Sequence, residues 1–309
     1  MNNLTQRDAF WEKVYSLAKD NKDIVVVSAD MGAPSLDQFR RDLAAQFVNV
    51  GIAEQNAILV ASGMAALGKR VFVYAIAPFI TLRCLEQIRV NNAMMKFPIT
   101  IVGVGAGFGY EDSGPTHHIT EDIAIMRSMP NIIINSISDS VMAEAVALMS
   151  CQMKVANYVR LDRLTLPSLY KKGEDFSQGI AVLKKGDSYI VSTGSMVHVA
   201  LEVARQLKKK GLHVGVIDAY TIPLQEKNLI SAIKGTKKLI ALEEHFLAGG
   251  LSSAVCEALQ DHGVVIPVLR IGLDPHKGYC YKYGGREIIR KYYGIDAASV
   301  TKKVLTFLK

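Results

Sequence analysis

Two hydrophobic periods alternate along this chain, and that alternation limits the fold more than any other feature. Short Val- and Ile-rich runs at Ile24–Ser28, Arg70–Tyr74, Ile99–Val104 and Ile132–Asn135, with a weaker one at Asn157–Arg160, read as strands. Between them lie helix-length amphipathic stretches at Arg7–Lys19, Glu54–Leu67, Pro78–Met95, Glu121–Ser128 and Ser140–Met153. Strands that are apolar at successive positions are covered on both faces, and helices between them predict a parallel sheet. The pattern lapses after Arg163 through LTLPSLYKKGEDFSQG, a polar stretch containing Pro and Gly. It resumes with strands at Tyr189–Ser192, Val214–Ile217, Leu239–Leu242 and Val268–Ile271, and helices at Val197–Lys210, Gln225–Ile233 and Leu251–Asp261. The expected class is α/β with two doubly wound domains, residues 1–165 and 179–309, joined by a linker over 166–178. With 309 residues, 50% of them hydrophobic, the chain can fill two such cores.

Charge narrows the choice of ligand. The 36 basic residues exceed the 29 acidic ones and leave a formal +7, which favours anionic ligands. No basic stripe interleaved with aromatics marks a nucleic-acid surface; Lys208-Lys209-Lys210 reads as the solvated cationic end of a helix. The four cysteines, Cys84, Cys151, Cys256 and Cys280, form no C-x-x-C pair, which excludes the common zinc spacings and fits a reducing compartment. The N-terminal segment MNNLTQRDAFWEKVYSL has no signal-peptide core. No apolar run reaches the ~18 residues of a membrane span. A cytoplasmic protein without membrane or nucleic-acid partners is expected.

Two segments concentrate chemistry. In Val48-Asn49-Val50-Gly51-Ile52-Ala53-Glu54-Gln55-Asn56 a strand ends, a glycine turns the chain, and a carboxylate opens the apolar helix AILVASGMAALG. A Glu there can simply complement the helix dipole. At the edge of a core it also needs a dedicated partner to offset desolvation, and a heteroaromatic ring nitrogen would serve. The second segment, Tyr110-Glu111-Asp112-Ser113-Gly114-Pro115-Thr116-His117-His118, follows the glycine-rich run Gly103–Gly109. It leaves the carboxyl end of the strand Ile99–Val104, where open α/β sheets bind ligands. Its histidines suit proton transfer or polar contacts; adjacent histidines diverge, which argues against shared metal ligation. The glycine run lacks dinucleotide-binding spacing. Arg160 and Arg163 bracket Leu161-Asp162 and are either solvated or forked onto a phosphate. Phe79 could be core or a stacking platform.

Taken together, the segments resemble the transketolase family of thiamine-diphosphate enzymes over essentially the whole chain. SADMGAPS (28–35) looks like the family's S-A-D-x-x-P-S turn with one extra residue, and VNVGIAEQN is similar to its glutamate motif. PFITLRCLEQIR resembles its aromatic-bearing helix, EDSGPTHH its G-P-T-H loop, YVRLDR its arginine strand, and LEEHFLAGGLSSAV (242–255) its C-terminal domain. The family's G-D-G…N domain, which holds magnesium and the diphosphate, has no counterpart; Gly186-Asp187-Ser188 reads as a turn. The resemblance therefore implies the C-terminal subunit of a split transketolase. Its active site would be completed by an N-terminal, diphosphate-binding subunit in an α2β2 assembly, with the Mg2+ ligands on that partner.

The resemblance also implies roles. A protonated Glu54 would donate to the aminopyrimidine N1′ and so promote formation of the coenzyme's C2 carbanion, which transfers a two-carbon ketol unit between sugar phosphates. Phe79 would stack on the pyrimidine, with Ile52 and Asp30 beside the coenzyme. His117 would contact donor hydroxyls and the developing oxyanion. Arg7, Ser35, Arg160 and Arg163 would grip the sugar phosphate, Arg163 matching better than Arg160. Two departures leave the sugars open, specialised sugar biosynthesis among them. Ser113 stands where an aspartate usually precedes G-P-T-H, and Gly105-Ala106-Gly107 stands where another histidine is usual. Within thiamine chemistry the alternatives are a deoxyxylulose-phosphate-synthase-like enzyme or a 2-oxo-acid dehydrogenase of the β type. Of another class is a non-catalytic regulatory or scaffolding role, against which Glu54, Phe79 and His117 argue.

Overall fold

The computed structural model describes residues 4–309, with Ser35 described in its backbone only. Its strands are β1 (Ile24–Ser28), β2 (Phe47–Asn49), β3 (Arg70–Ile76), β4 (Ile99–Val104), β5 (Ile132–Ser136), β6 (Ala156–Leu161), β7 (Ala181–Lys184), β8 (Ser188–Ser192), β9 (Val214–Asp218), β10 (Thr221–Ile222), β11 (Leu239–Phe246) and β12 (Val268–Leu273). They form a seven-stranded sheet in the order β10-β5-β6-β4-β3-β1-β2 and a five-stranded sheet in the order β12-β11-β8-β9-β7. Neighbours run parallel except β10 on β5 and β7 on β9. The two parallel-dominated α/β sheets agree with the expected class. No helix among the described residues is long and apolar enough to cross a membrane.

Strand β3 shows why these runs are continuously apolar. Val71, Val73 and Ala75 face one core with Ala57, Ile58 and Ala61 of the helix Glu54–Ala66. Phe72 and Tyr74 face the other, against Phe10, Trp11 and Val14 of the helix Gln6–Asp20. The first of these cores is shared with the second sheet, since Tyr189 and Val191 of β8 and Leu239 of β11 belong to it.

The structure departs from the sequence expectation at several elements. The single helix expected over Pro78–Met95 is instead a short helix, Ala77–Thr81, then a turn, then a helical turn, Leu85–Gln87, that runs into a π-type stretch over Ile88–Met94. In that stretch Met95 N donates to Val90 O, while the amides of Asn91 and Asn92 reach backbone carbonyls and loosen the ladder. The helices Pro34–Asp42, Arg286–Tyr293 and Ala297–Leu308 and the short strands β7 and β10 escaped the apolar pattern. Arg286–Tyr293 (REIIRKYY) escaped because its buried face sets Arg286 and Arg290 beside Ile289 and Tyr293.

Those arginines couple the two sheets. Glu244, buried in β11, accepts Arg290 Nε at 2.7 Å, Arg286 Nη2 at 2.5 Å and the Phe108 amide at 3.0 Å. Arg286 also reaches Asp162 at 2.6 Å and the Ala106 carbonyl at 3.2 Å, both in the first domain. Burial opposes ionisation of Glu244, but Arg286 and Arg290 outweigh it and hold the carboxyl well below the usual range. Gly107 has φ +58°, and a Cβ there would collide with the Glu244 carboxylate, so glycine alone permits the approach. The neighbours of Glu244 tie off other backbone: Glu243 accepts the Leu251 and Ser252 amides at the start of the helix Leu251–Asp261, and His245 Nε2 accepts the Ala124 amide.

A second buried contact joins the sheets through the connecting segment. Ser138 Oγ and Tyr170 Oη both donate to Asp218 Oδ2, and the Leu169 and Tyr170 amides donate to Asp139. Burial pushes the Asp218 carboxyl up to about 7, Asp139 adding to the rise and the two hydroxyls opposing it.

Two outcomes are expected. Glu244→Gln leaves two buried guanidiniums short of their counter-ion and should cost about 3–5 kcal/mol in a urea titration. For Asp218 the folded state holds a proton that the unfolded chain releases above its ordinary 3.8, so this group's contribution falls as pH rises from there to about 7. Asp218→Asn should therefore be more stable than wild type at pH 8, by an amount on the order of 2 kcal/mol, and melt at a higher temperature. The gap should close toward pH 4, which melting curves across that range would detect.

Candidate active site

The carboxyl ends of β1, β2, β3, β4 and β6 deliver most of the residues singled out by sequence. After β2, Gly51 turns the chain with φ +75° and Glu54 opens its helix, only 4% exposed. Glu54 Oε2 accepts Arg83 Nη1 at 2.7 Å; Oε1 has no hydrogen bond among the described residues. Within the chain the partner of Glu54 is thus the Arg83 guanidinium. The Arg83 guanidinium carbon lies 4.4 Å from the centroid of the half-buried Phe79 ring. Phe79 meets the His117 imidazole edge-to-face at 5.1 Å, and His117 lies 6.1 Å from the Tyr110 ring. Arg163 stacks over Tyr110 at 4.9 Å. Burial raises the Tyr110 phenol above its ordinary value against the pull of Arg163 and Arg7, both near it. Glu54, Arg83, Phe79, His117, Tyr110 and Arg163 therefore form one continuous line, with Arg7 at its basic end.

The remaining candidates sit around that line. Asp30 is exposed, takes φ 55°, and is clasped by Asn49, whose amide nitrogen donates to Asp30 Oδ1 at 2.9 Å and whose oxygen accepts the Asp30 and Gly51 amides. Asn49 thereby ties the turn after β1 to the turn after β2. Ile52 is 80% exposed beside Glu54. The Ser35 side chain lies outside the described residues. Thr116 Oγ1 and His117 Nδ1 are 3.1 Å apart. His118 is turned inward against Phe108 at 5.1 Å, and burial lowers its pKa.

Arg160 requires a correction. Expected to grip a phosphate, it is instead buried, its Nε bonded to Asp122 Oδ2 at 2.7 Å with Tyr158 on the same oxygen at 2.8 Å. A guanidinium on the interior of a central strand needs a fixed counter-ion, and Asp122 supplies it. Sequence reasoning did not single out Arg83 or Asn49. The four-residue spacing from Phe79 to Arg83 could have placed Arg83 near that ring but not on Glu54; nothing in the sequence marked Asn49.

Residues 2–168 match the model of the transketolase pyrimidine-binding domain, and residues 179–300 that of the transketolase C-terminal domain. The chain belongs to the transketolase family. Within the family it matches one half of split members from end to end. An apulose-4-phosphate transketolase subunit of Phocaeicola vulgatus is 33% identical over 100% of this chain and 99% of its own length. A solved structure described as a split gene transketolase, inactive beta4 tetramer, superposes with TM-score 0.86 at 30% identity, covering 98% of this chain and 97% of that one. The 1-deoxy-D-xylulose-5-phosphate synthase of Gloeobacter violaceus is 30% identical over 96% of this chain but 47% of its own length.

For this transketolase-family chain the Glu54–Arg83 pair invites a direct test. Arg83→Met removes the counter-ion of a buried carboxylate, yet Arg83 is itself 46% exposed and its pairing is screened by water. The loss should therefore be about 1–2 kcal/mol, below that of a fully buried pair. Urea unfolding of the variant and of Arg83→Met combined with Glu54→Gln would isolate the pairing.

Proposed function

We propose that this chain is the coenzyme-activating subunit of a split transketolase, moving a two-carbon ketol unit from a ketose phosphate to an aldose phosphate. Residues 1–165 would form the pyrimidine-binding domain and 179–309 the C-terminal domain, with 166–178 linking them. The observation that carries the reading is the line from Glu54 through Phe79 to His117, which ends in Arg163 and Arg7. Its residues fit the aminopyrimidine of thiamine diphosphate: a half-buried Phe79 ring, an exposed apolar Ile52, and a buried carboxyl with one oxygen uncommitted. When bound, thiamine diphosphate supplies the nucleophile that breaks the ketose C2–C3 bond and carries the two-carbon fragment.

This chain's residues then do the rest. Arg83 occupies Glu54 Oε2, which leaves Oε1 as the oxygen that would share a proton with a ring nitrogen. Phe79 and Ile52 exclude water from that hydrogen bond, which strengthens it. His117 faces the sugar's oxygens from beside Phe79 and stabilises charge developing there. Arg163 and Arg7 meet the phosphate with charge-assisted hydrogen bonds, each contributing roughly 1.5–3 kcal/mol.

The diphosphate and Mg2+ would be held by a partner N-terminal subunit in an α2β2 assembly. In support, Leu59, Leu82, Val90, Met94 and Met95 are exposed, and Met94 also lines a cleft of about 600 Å3 that Met129 borders. Apolar surface of this kind is normally covered by a partner. The related β4 tetramer is described as inactive, which accords with a need for a different subunit beside this one.

Reconstituted with the N-terminal subunit, thiamine diphosphate and Mg2+, wild type should transfer ketol units between sugar phosphates. Glu54→Gln should lose about 10²–10⁴-fold in kcat, as for removal of an acid–base group. Full activity in Glu54→Gln would refute the assignment. The deoxyxylulose-phosphate synthase likeness favours a second reading, and carbon dioxide release from pyruvate would identify it.

A further inference from the structure

We infer that Tyr283, on a loop of the second domain, is a positioning residue for His117. The inference rests on the reading of His117 as a substrate contact. The loop bearing His117 leaves β4 and is closed at its base, where Ile119 N donates to Gly107 O at 3.0 Å. Its tip is two successive turns, Ser113 N to Tyr110 O at 3.0 Å and His117 N to Gly114 O at 3.1 Å. Backbone turns of this length do not by themselves fix a tip against solvent.

One short segment of the second domain touches this loop and the residues just after its base at three points. The Arg286 amide donates to Glu111 Oε2 at 2.9 Å, and Tyr279 Oη donates to Glu121 Oε1 at 2.9 Å. Between them the Tyr283 hydroxyl lies 3.0 Å from where a Cβ on Gly114 would sit. Gly114 also has φ +76°, so any side chain there would be both strained and blocked by Tyr283. The turn that ends at His117 is thus seated against Tyr283. Gly278, Gly284 and Gly285, all at positive φ, let the segment fold back over the loop. Arg286 is also the residue that clamps Glu244 and Asp162, so the segment is anchored at one end to the buried ion cluster.

Tyr283 is 62% exposed, too open to matter much for stability. Its position is explained by what it holds. With Nδ1 next to Thr116 Oγ1, His117 has Nε2 for the sugar, and the direction of Nε2 follows the Gly114–His117 turn. Sub-ångström differences in such a direction are felt in the rate.

The test uses the enzyme assembled with its N-terminal subunit, a ketose phosphate donor and an aldose phosphate acceptor, and in parallel the proton resonances of the His117 ring in this chain. Tyr283→Ala should lower kcat/KM about tenfold, shift the His117 ring resonances, and leave the melting midpoint unchanged. Tyr283→Phe, which removes only the hydroxyl that meets Gly114, should lose part of this, falling between wild type and Tyr283→Ala in kcat/KM. Tyr281→Ala, at a neighbouring exposed tyrosine, should change neither readout. Wild-type kcat/KM in Tyr283→Ala overturns the inference. If the wild-type assembly transfers no ketol unit, the functional reading falls separately, and an unmoved His117 resonance in Tyr283→Ala then overturns the positioning as well.

Discussion

The molecule is organised around a carboxylate held by two guanidiniums in its interior. Glu244 sits near the carboxyl end of β11 in one sheet and, through Arg286, reaches the loops that leave the other. Taking these charges out of water is costly, and only close, well-oriented pairing offsets it. The arrangement therefore tolerates little sliding of one sheet on the other. The same Glu244 fixes the Phe108 amide in the glycine-rich run that leads into the His117 loop. Domain register and loop geometry are consequently one problem, solved at one group.

Apolar periodicity reveals β3 because both of its faces are covered, and for the same reason it reveals the sheet's direction and the edge where the site lies. It misses Arg286–Tyr293, since that helix buries arginines and a hydrophobic pattern cannot distinguish a buried arginine from a solvated one. The broken helix after Phe79 is invisible for a related reason: Asn91 and Asn92 are polar residues whose amides bond the backbone rather than water.

At the site, Glu54 was legible from its place at the head of an almost wholly apolar helix. What it pairs with was not, because the meeting of Arg83 with Glu54 joins elements that follow two different strands. Arg160 and Arg163 show the same limit in reverse. Close together at one strand end, they look equivalent in sequence. Yet Arg160 points into the interior toward Asp122 while Arg163 lies over the Tyr110 ring. The difference is where each falls relative to the end of β6, a boundary that pattern reading places only within a few residues.

The two-residue strand β10 has a consequence for biosynthesis. Thr221–Ile222 follow β9 of the second sheet but pair with Asn135 and Ile134 at the margin of the first. While the chain is being made, the first sheet has all its parallel strands once Leu161 emerges, yet its β5 margin stays open until Ile222 does. An unpaired sheet margin is a template for wrong strand addition. The amino-terminal half thus spends part of its synthesis with a sticky flank that its own carboxyl-terminal half must close, and a nascent chain stalled between those points would be the species most exposed to misassembly.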